Sequence, residues 1–175
     1  MTAGQWTWEA HENYQKGGWR NRCRIATANG PLLLSVPLEG GKHQQMPIRD
    51  VRISYRTDWQ RQHEQSIRSA YGRAPYFEYY ADAVLAAATA HTELLWDYNW
   101  LLSTTVIELL SLDVELDTTE RFCAGSAGAT PFPKPVPTPP YPQLFEDRHG
   151  FLSQLSILDA LFCLGPELPL LLHQR

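Results

Sequence analysis

The sequence predicts a mixed fold, α/β or α+β, in which an N-terminal, mostly antiparallel or mixed sheet packs against three to four helices in a single domain. Three observations carry that expectation. Apolar and polar residues alternate with period two through the first third, as in Trp6, Trp8 and Ala10 against Thr7, Glu9 and His11. From residue 58 onward the apolar spacing changes to a helical one, bounded by cap and stop residues. Hydrophobic residues at 43% and charged residues at 19% in 175 positions fit a globular chain with a real core, not a disordered one.

Trp6 to Ala10 suits a short strand, and Gly17-Gly18 makes a turn into a second strand. That strand carries Arg20, Arg22 and Arg24 at every second position, so the three guanidiniums are expected along one face. Asn29-Gly30 is the turn of a hairpin whose returning strand covers residues 32–36. Residues 40–47 read as a polar loop, and residues 48–55 as a further alternating strand, with Val51, Ile53 and Tyr55 on one side. Asp58 suits the N-cap of a first helix that ends at Tyr71 before Gly72. Pro75 opens a second helix over 76–91, and Thr92 caps a third over 93–110. The acidic run 113–120 shows no periodicity. Residues 124–142 hold Pro131, Pro133, Pro135, Pro137, Pro139 and Pro140, which predicts an extended surface segment, since proline removes backbone donors. A last helix covers 156–164 and stops at Gly165-Pro166.

Charge is distributed unevenly. Through Arg73 there are 11 Lys plus Arg against 6 Asp plus Glu, whereas the remainder has 4 against 13. An anionic small molecule is therefore expected at the basic part, while the net charge of −4 argues against general nucleic-acid binding. Cys23, Cys123 and Cys163 are odd in number and far apart, and neither a disulfide framework nor a metal knuckle can be read from that spacing. The six histidines show no HExxH spacing and no zinc knuckle with cysteine, so no metal is expected, and nothing points to a particular cofactor. There is no signal-peptide pattern at Met1, and the apolar stretch 94–112 is broken by polar residues, so no membrane insertion is expected and a cytoplasmic location is. GxGxxG, GxxxxGK[ST] and GxSxG motifs do not occur.

The most specific stretch is residues 12–25. Gln15, Lys16, Trp19, Asn21 and Arg22 fit a Gln-Lys-x-x-Trp/Tyr-x-Asn-Arg pattern, followed by Asn29-Gly30 and Leu34-Ser35-Val36-Pro37. Trp59-x-x-x-His63 with Tyr71, Pro75 and Phe77 forms a second block, and 155–162 with Gly165 a third. Together these blocks resemble the WbqC-like family of bacterial proteins. The resemblance implies a role in surface-polysaccharide (O-antigen) synthesis and a glycyl, aminoacyl or acyl transfer to an amino sugar. It also implies a shortened N-terminus, since family members carry a Tyr/Pro-rich strand and helix ahead of the first block. One WbqC-like domain over 1–175 is expected. Its partners would be a sugar nucleotide or an acyl or aminoacyl donor. One alternative is a non-catalytic sugar-nucleotide or partner-binding protein, and another is an incomplete copy of the family that needs a partner chain.

The candidate site residues come from these blocks. Lys16, Arg20 and Arg22 are the expected seat for a phosphate or carboxylate, because arginine forks bind such groups bidentately. Pairing of the same arginines with Glu9 and Glu12 is the plainer reading. Gln15 and Asn21 offer paired donors and acceptors to a sugar or amide, or else to the turn around Gly17-Gly18. His63, one helical turn after Trp59, is the candidate general base. Glu12, Trp59, Tyr71 and Asp159 are supporting residues. Asp159 is a carboxylate in an apolar helix that needs a buried partner, or else stabilises that helix's N-terminus.

Overall fold

The computed structural model describes residues 4–40, 46–122 and 139–172. Its chain forms mixed α and β structure, as expected, but the strands make two separate pairs. The first strand, β1 (Gly4–Trp8), is almost wholly exposed. The strands β2 (Arg22–Thr27) and β3 (Gly30–Ser35) form the antiparallel hairpin, in register from Arg22 opposite Ser35 to Thr27 opposite Gly30. Gly30 has φ +102, a backbone conformation that glycine takes at no steric cost. The Thr27 hydroxyl closes the turn by donating to the Gly30 carbonyl at 2.7 Å.

Two strand expectations need correction. The arginine strand starts only at Arg22, because Arg20 lies in the preceding turn, so the three guanidiniums do not form one row. Residues 48–55 do not form a strand. Pro47 starts a single 3-10 turn over Ile48–Asp50, and residues 51–55 make only isolated bridges, Leu38 with Ile53 and Arg52 with Leu94. The alternation holds only over Val51, Arg52 and Ile53, which are buried, exposed and buried, and it fails at Ser54, which is buried too. It reflects burial against a core rather than a ladder.

Next along the chain come the helices α1 (Trp59–Tyr71), α2 (Phe77–Ala88) and α3 (Leu95–Leu109). Asp58 and Gly72 bound α1, although the Asp58 side chain makes no cap bond. α2 ends three residues before His91, and Thr92 does not cap α3. Residues 93–95 instead pair with 51–53 through Ile53 N–H to the Glu93 carbonyl and Leu95 N–H to the Val51 carbonyl. Leu94 is thereby held extended at the N-cap position.

The acidic run is a strand, β4 (Val114–Thr118), parallel to β1 from Gly4 opposite Val114 to Trp8 opposite Thr118. Val114 and Leu116 are half-buried, while Glu115 and Asp117 face out. Trp8 anchors the pair by edge-on contacts with Trp96 and Trp100 of α3, at 5.6 and 5.7 Å between centroids. Of residues 124–142, only 139–142 are described; they carry no regular structure, and Tyr141 is buried. Of the polar loop at 40–47, residues 41–45 lie outside the described residues.

Three helices complete the described chain: α4 (Glu146–His149), α5 (Ile157–Leu164) and α6 (Leu168–Leu172). Ser156 caps α5 by accepting from the Leu158 N–H. The larger core joins Ile25 and Leu34 of the hairpin to the buried faces of α1, α2 and α5. A second cluster gathers Tyr14, Val36, Val51, Ile53, Trp59 and Tyr98 between the start of α1 and the start of α3. Among the described residues no helix is long and apolar enough to cross a membrane.

Candidate functional site

The site residues read from the sequence fall into three neighbourhoods. The first centres on Tyr14. Residues 12–14 run antiparallel to 46–48, with Tyr14 N–H donating to the Met46 carbonyl and Ile48 N–H to the Glu12 carbonyl. This buries Glu12, and Arg20 grips its carboxylate with two prongs, the Nε bond to Oε1 being 2.6 Å. Asn99 of α3 fixes the same turn by donating to the Arg20 carbonyl at 2.8 Å. Asn21 is buried and doubly bonded: its Nδ2 donates to the Val36 carbonyl at 2.9 Å, and its Oδ1 accepts from the Tyr14 hydroxyl at 3.2 Å. Burial raises the Tyr14 pKa, opposed by the charges of Arg22 and Arg20. Arg22 keeps a buried Nε without a hydrogen-bond partner among the described residues. Gln15 is half-buried and Lys16 exposed in the adjoining turn, and Arg24 lies over the Trp19 ring at 4.9 Å.

The second neighbourhood is a cavity of about 270 Å³ beneath the hairpin. Cys23 and Leu34, a register pair of the hairpin, form one wall. His63 and Ile67 of α1 form another, opposite Leu102 and Val106 of α3. His63 is buried against Trp59, with ring centroids 5.0 Å apart. Burial lowers its pKa below the ordinary 6.5, and a hydrogen bond to the Ser35 backbone opposes that shift. The neutral imidazole is therefore the form that neutral pH favours. Burial also pushes the Cys23 thiol up to about 11, so it stays protonated despite its bond to Ser156.

In the third neighbourhood, Asp159 has no exposed surface. Its Oδ2 accepts from the Tyr141 hydroxyl at 2.9 Å, and Tyr71 bonds the same carboxyl. Burial raises the Asp159 pKa, and these tyrosines oppose the shift. Tyr71 accepts in turn from the Ala26 N–H at 3.0 Å, which ties α5, α1 and β2 together.

The structure thus brings Glu12, Arg20, Asn21 and Arg22 together around Tyr14, and Trp59 together with His63. It does not bring His63 into one cavity with Lys16, Arg20 or Arg22, none of which lines it. Successive strand residues face opposite ways, so Arg22 faces away from the cavity that its neighbour Cys23 lines. The two neighbourhoods meet at Ser35, which stands opposite Arg22 in the ladder and whose backbone bonds His63. Sequence reasoning passed over Tyr14 and Ser156 as site residues. Tyr14 sits inside the block at 12–25, and Ser156 leads the last helix, so position marked both. Tyr141 lay inside the proline-rich segment, where no periodicity singles out a buried residue. Among the described residues no cluster of His, Cys, Asp and Glu has metal-site geometry.

Comparison with known proteins covers most of this architecture. Residues 1–130, which include the Tyr14 neighbourhood, His63 and both strand pairs, match the WbqC-like protein family. Over 85 residues the chain is 36% identical to an uncharacterized protein, Rv1507c, of Mycobacterium tuberculosis; the match takes in 46% of this chain and 36% of that relative's length. The chain thus spans well under half of the curated relative it matches. No solved structure matches the chain.

Proposed function

The chain belongs to the WbqC-like protein family, and from that premise we propose that it transfers an acyl or aminoacyl group, glycyl included, to an amino-sugar acceptor in bacterial surface-polysaccharide synthesis. The observation that carries this reading is His63, a buried imidazole held toward its neutral form on the wall of a cavity. Amide formation needs an amine nucleophile, and an ammonium group has no lone pair to give. The free imidazole takes the proton as the acceptor nitrogen bonds to the donor carbonyl, and the leaving group departs with the electron pair of the broken bond. The Ser35 backbone and the Trp59 ring hold the imidazole in place. Lys16 and Arg22 seat the anionic part of the substrate at the open end of the hairpin. Arg20 contributes less, because Glu12 already occupies its guanidinium. Gln15 and Asn21 border that seat, and Asn21 acts mainly by fixing the turn. A cytoplasmic setting goes with such substrates.

Binding without catalysis is a second reading, favoured by the placement of Arg22 and His63 on opposite faces of the hairpin. His63→Gln separates the two. A transferase loses turnover by at least roughly a hundredfold with donor binding kept, the usual scale of a general base. Arg22→Ala should weaken binding of the anionic substrate about ten- to a hundredfold. Product analysis by mass spectrometry, over acyl and aminoacyl donors and amino-sugar nucleotides, reads the first; calorimetry reads the second. Turnover unchanged in His63→Gln would remove His63 as the base, whereas donor binding with no turnover in the wild type would remove the catalytic reading.

A further inference from the structure

The cavity under the hairpin has a chemistry that neither a glycyl group nor a sugar needs. Each element around it contributes hydrocarbon to its walls: Leu34 from the hairpin, Ile67 from α1, Val84 and Ala88 from α2, Leu102 and Val106 from α3. Several polar groups among the lining residues are already engaged. The Tyr98 hydroxyl donates to the Ala88 carbonyl at 2.9 Å, Thr105 donates to the Leu101 carbonyl at 2.8 Å, and Ser156 is taken up by the Leu158 N–H and the Cys23 thiol. Such a surface offers a polar ligand almost nothing in exchange for its water, and apolar cavities of this kind stay dry and take apolar guests. Two of the lining residues reach the surface, Trp6 at 47% and Ile157 at 37% exposure, which gives the cavity an apolar rim.

We infer that this cavity binds an unbranched aliphatic chain, with His63 facing the chain's polar end. The volume sets the length. An apolar cavity of about 150 Å³ takes a guest of about six carbons, so 270 Å³ corresponds to about ten. The inference rests on the transferase reading in one respect, in that it makes the chain a medium-length fatty acyl group of the donor in preference to a glycyl one. Cys23 stays a neutral thiol in the wall and forms no bond with the ligand.

The test titrates the intact chain with sodium hexanoate, octanoate, decanoate and dodecanoate, with glycine and N-acetylglycine as controls. Tryptophan fluorescence, sensitive to Trp6 at the rim, and calorimetry report binding. Affinity should rise about fourfold per added methylene and level off beyond about ten carbons, with the thermal midpoint rising as the chain occupies the void. Val84→Phe and, separately, Ser103→Leu fill the cavity from α2 and α3, and each should weaken decanoate binding at least tenfold without lowering the midpoint. Affinity that is absent, independent of chain length, or equal in the filled variants overturns the inference. The wild-type chain-length series decides the matter even if both variants misfold. Decanoate binding with turnover unchanged in His63→Gln keeps the chain site and removes the base. Glycyl transfer without alkanoate binding keeps the transferase and removes the chain site.

Discussion

At Asp159 a carboxyl group is taken wholly out of water, and its surroundings decide which protonation state the fold prefers. Desolvation pushes its pKa up, and the hydroxyls of Tyr141 and Tyr71 restrain that rise without cancelling it. Its Oδ1 has no hydrogen-bond partner among the described residues. A buried carboxylate in need of a partner was legible in the sequence as a charged residue within an apolar helix, but the partner was not. Its partner Tyr141 could not be read, because the prolines around it conceal a buried position. The sign of the linkage comes from the raised pKa. Stability from the protonated carboxyl is fully present below the unfolded value of 3.8 and is lost as pH rises through the folded value. Asp159→Asn keeps an acceptor for Tyr141 and does not titrate. Its stability should equal or exceed wild type at pH 7, with the difference shrinking toward pH 4. Asp159→Ala leaves a buried tyrosine hydroxyl unpaired and should cost about 1–3 kcal/mol. Urea denaturation across that pH range checks both, and a less stable Asn variant at pH 7 would show that the carboxylate is the form the fold uses.

Element ends explain why one strand was missed and one helix was placed correctly. α3 ends in a Schellman motif: Ser111 N–H bonds the Glu108 carbonyl, Leu112 N–H bonds the Ile107 carbonyl, and Ser111 sits at φ 48. Glycine normally marks that position. With serine there, no glycine announced the turn that leads from α3 into a strand, and a five-residue strand with two outward carboxylates did not look like one. α5, by contrast, was bounded by Ser156, whose hydroxyl caps it, and by Gly165, whose backbone freedom ends it, and both signals are visible in one dimension. Ser111 and Gly165 give predictions of opposite sign. Ser111→Gly removes the steric penalty of the left-handed conformation, about 1–2 kcal/mol, less the roughly 0.5–1 kcal/mol entropy cost of glycine, so stability should rise modestly. Gly165→Ala meets strain and crowding together. Its φ is +55, and a Cβ there would stand 2.5 Å from the Tyr76 ring. That ring cannot easily retreat, since Tyr76 N–H is bonded to the Phe162 carbonyl. A loss of about 2–4 kcal/mol is expected from strain plus overpacking. Denaturant midpoints read both variants, and a Gly165→Ala protein as stable as its parent would contradict the packing described.

For the molecule as a whole, the fold class came from the switch between period-two and helical spacing, whereas pairing partners did not. Trp6 and Trp8 announced a strand, yet its partner lies over a hundred residues away, and no local pattern encodes a parallel pairing across that distance. The candidate site was legible as residues but not as an arrangement. Lys16, Arg22 and His63 were each marked by motif, and alternation alone sends Arg22 and Cys23 to opposite faces; that α1 brings His63 to the Cys23 face is a matter of packing that no local pattern encodes. The resulting architecture is uneven in stability. β2 lies against the larger core through Ile25, Ala26 beside it is also fully buried, and its ladder is shared with β3. β1 has four exposed residues out of five and, among the described residues, is paired only with β4. A two-stranded pair is marginal by itself, and parallel pairs are ordinarily covered on both faces. What holds this one is chiefly Trp8 on Trp96 and Trp100. The pair should therefore open without the rest of the molecule unfolding. In native-state amide exchange, the ladder amides of β1 and β4 should exchange through a local opening insensitive to low denaturant. Amides of β2, α1 and α2 should exchange only through global unfolding. Trp8→Ala should speed exchange in β1 and β4 while leaving the β2 amides close to wild type, because its ring contacts belong to α3 and not to the larger core. Equal protection in both strand pairs, or a uniform loss of protection in Trp8→Ala, would mean that the β1–β4 pair and the core unfold as one unit.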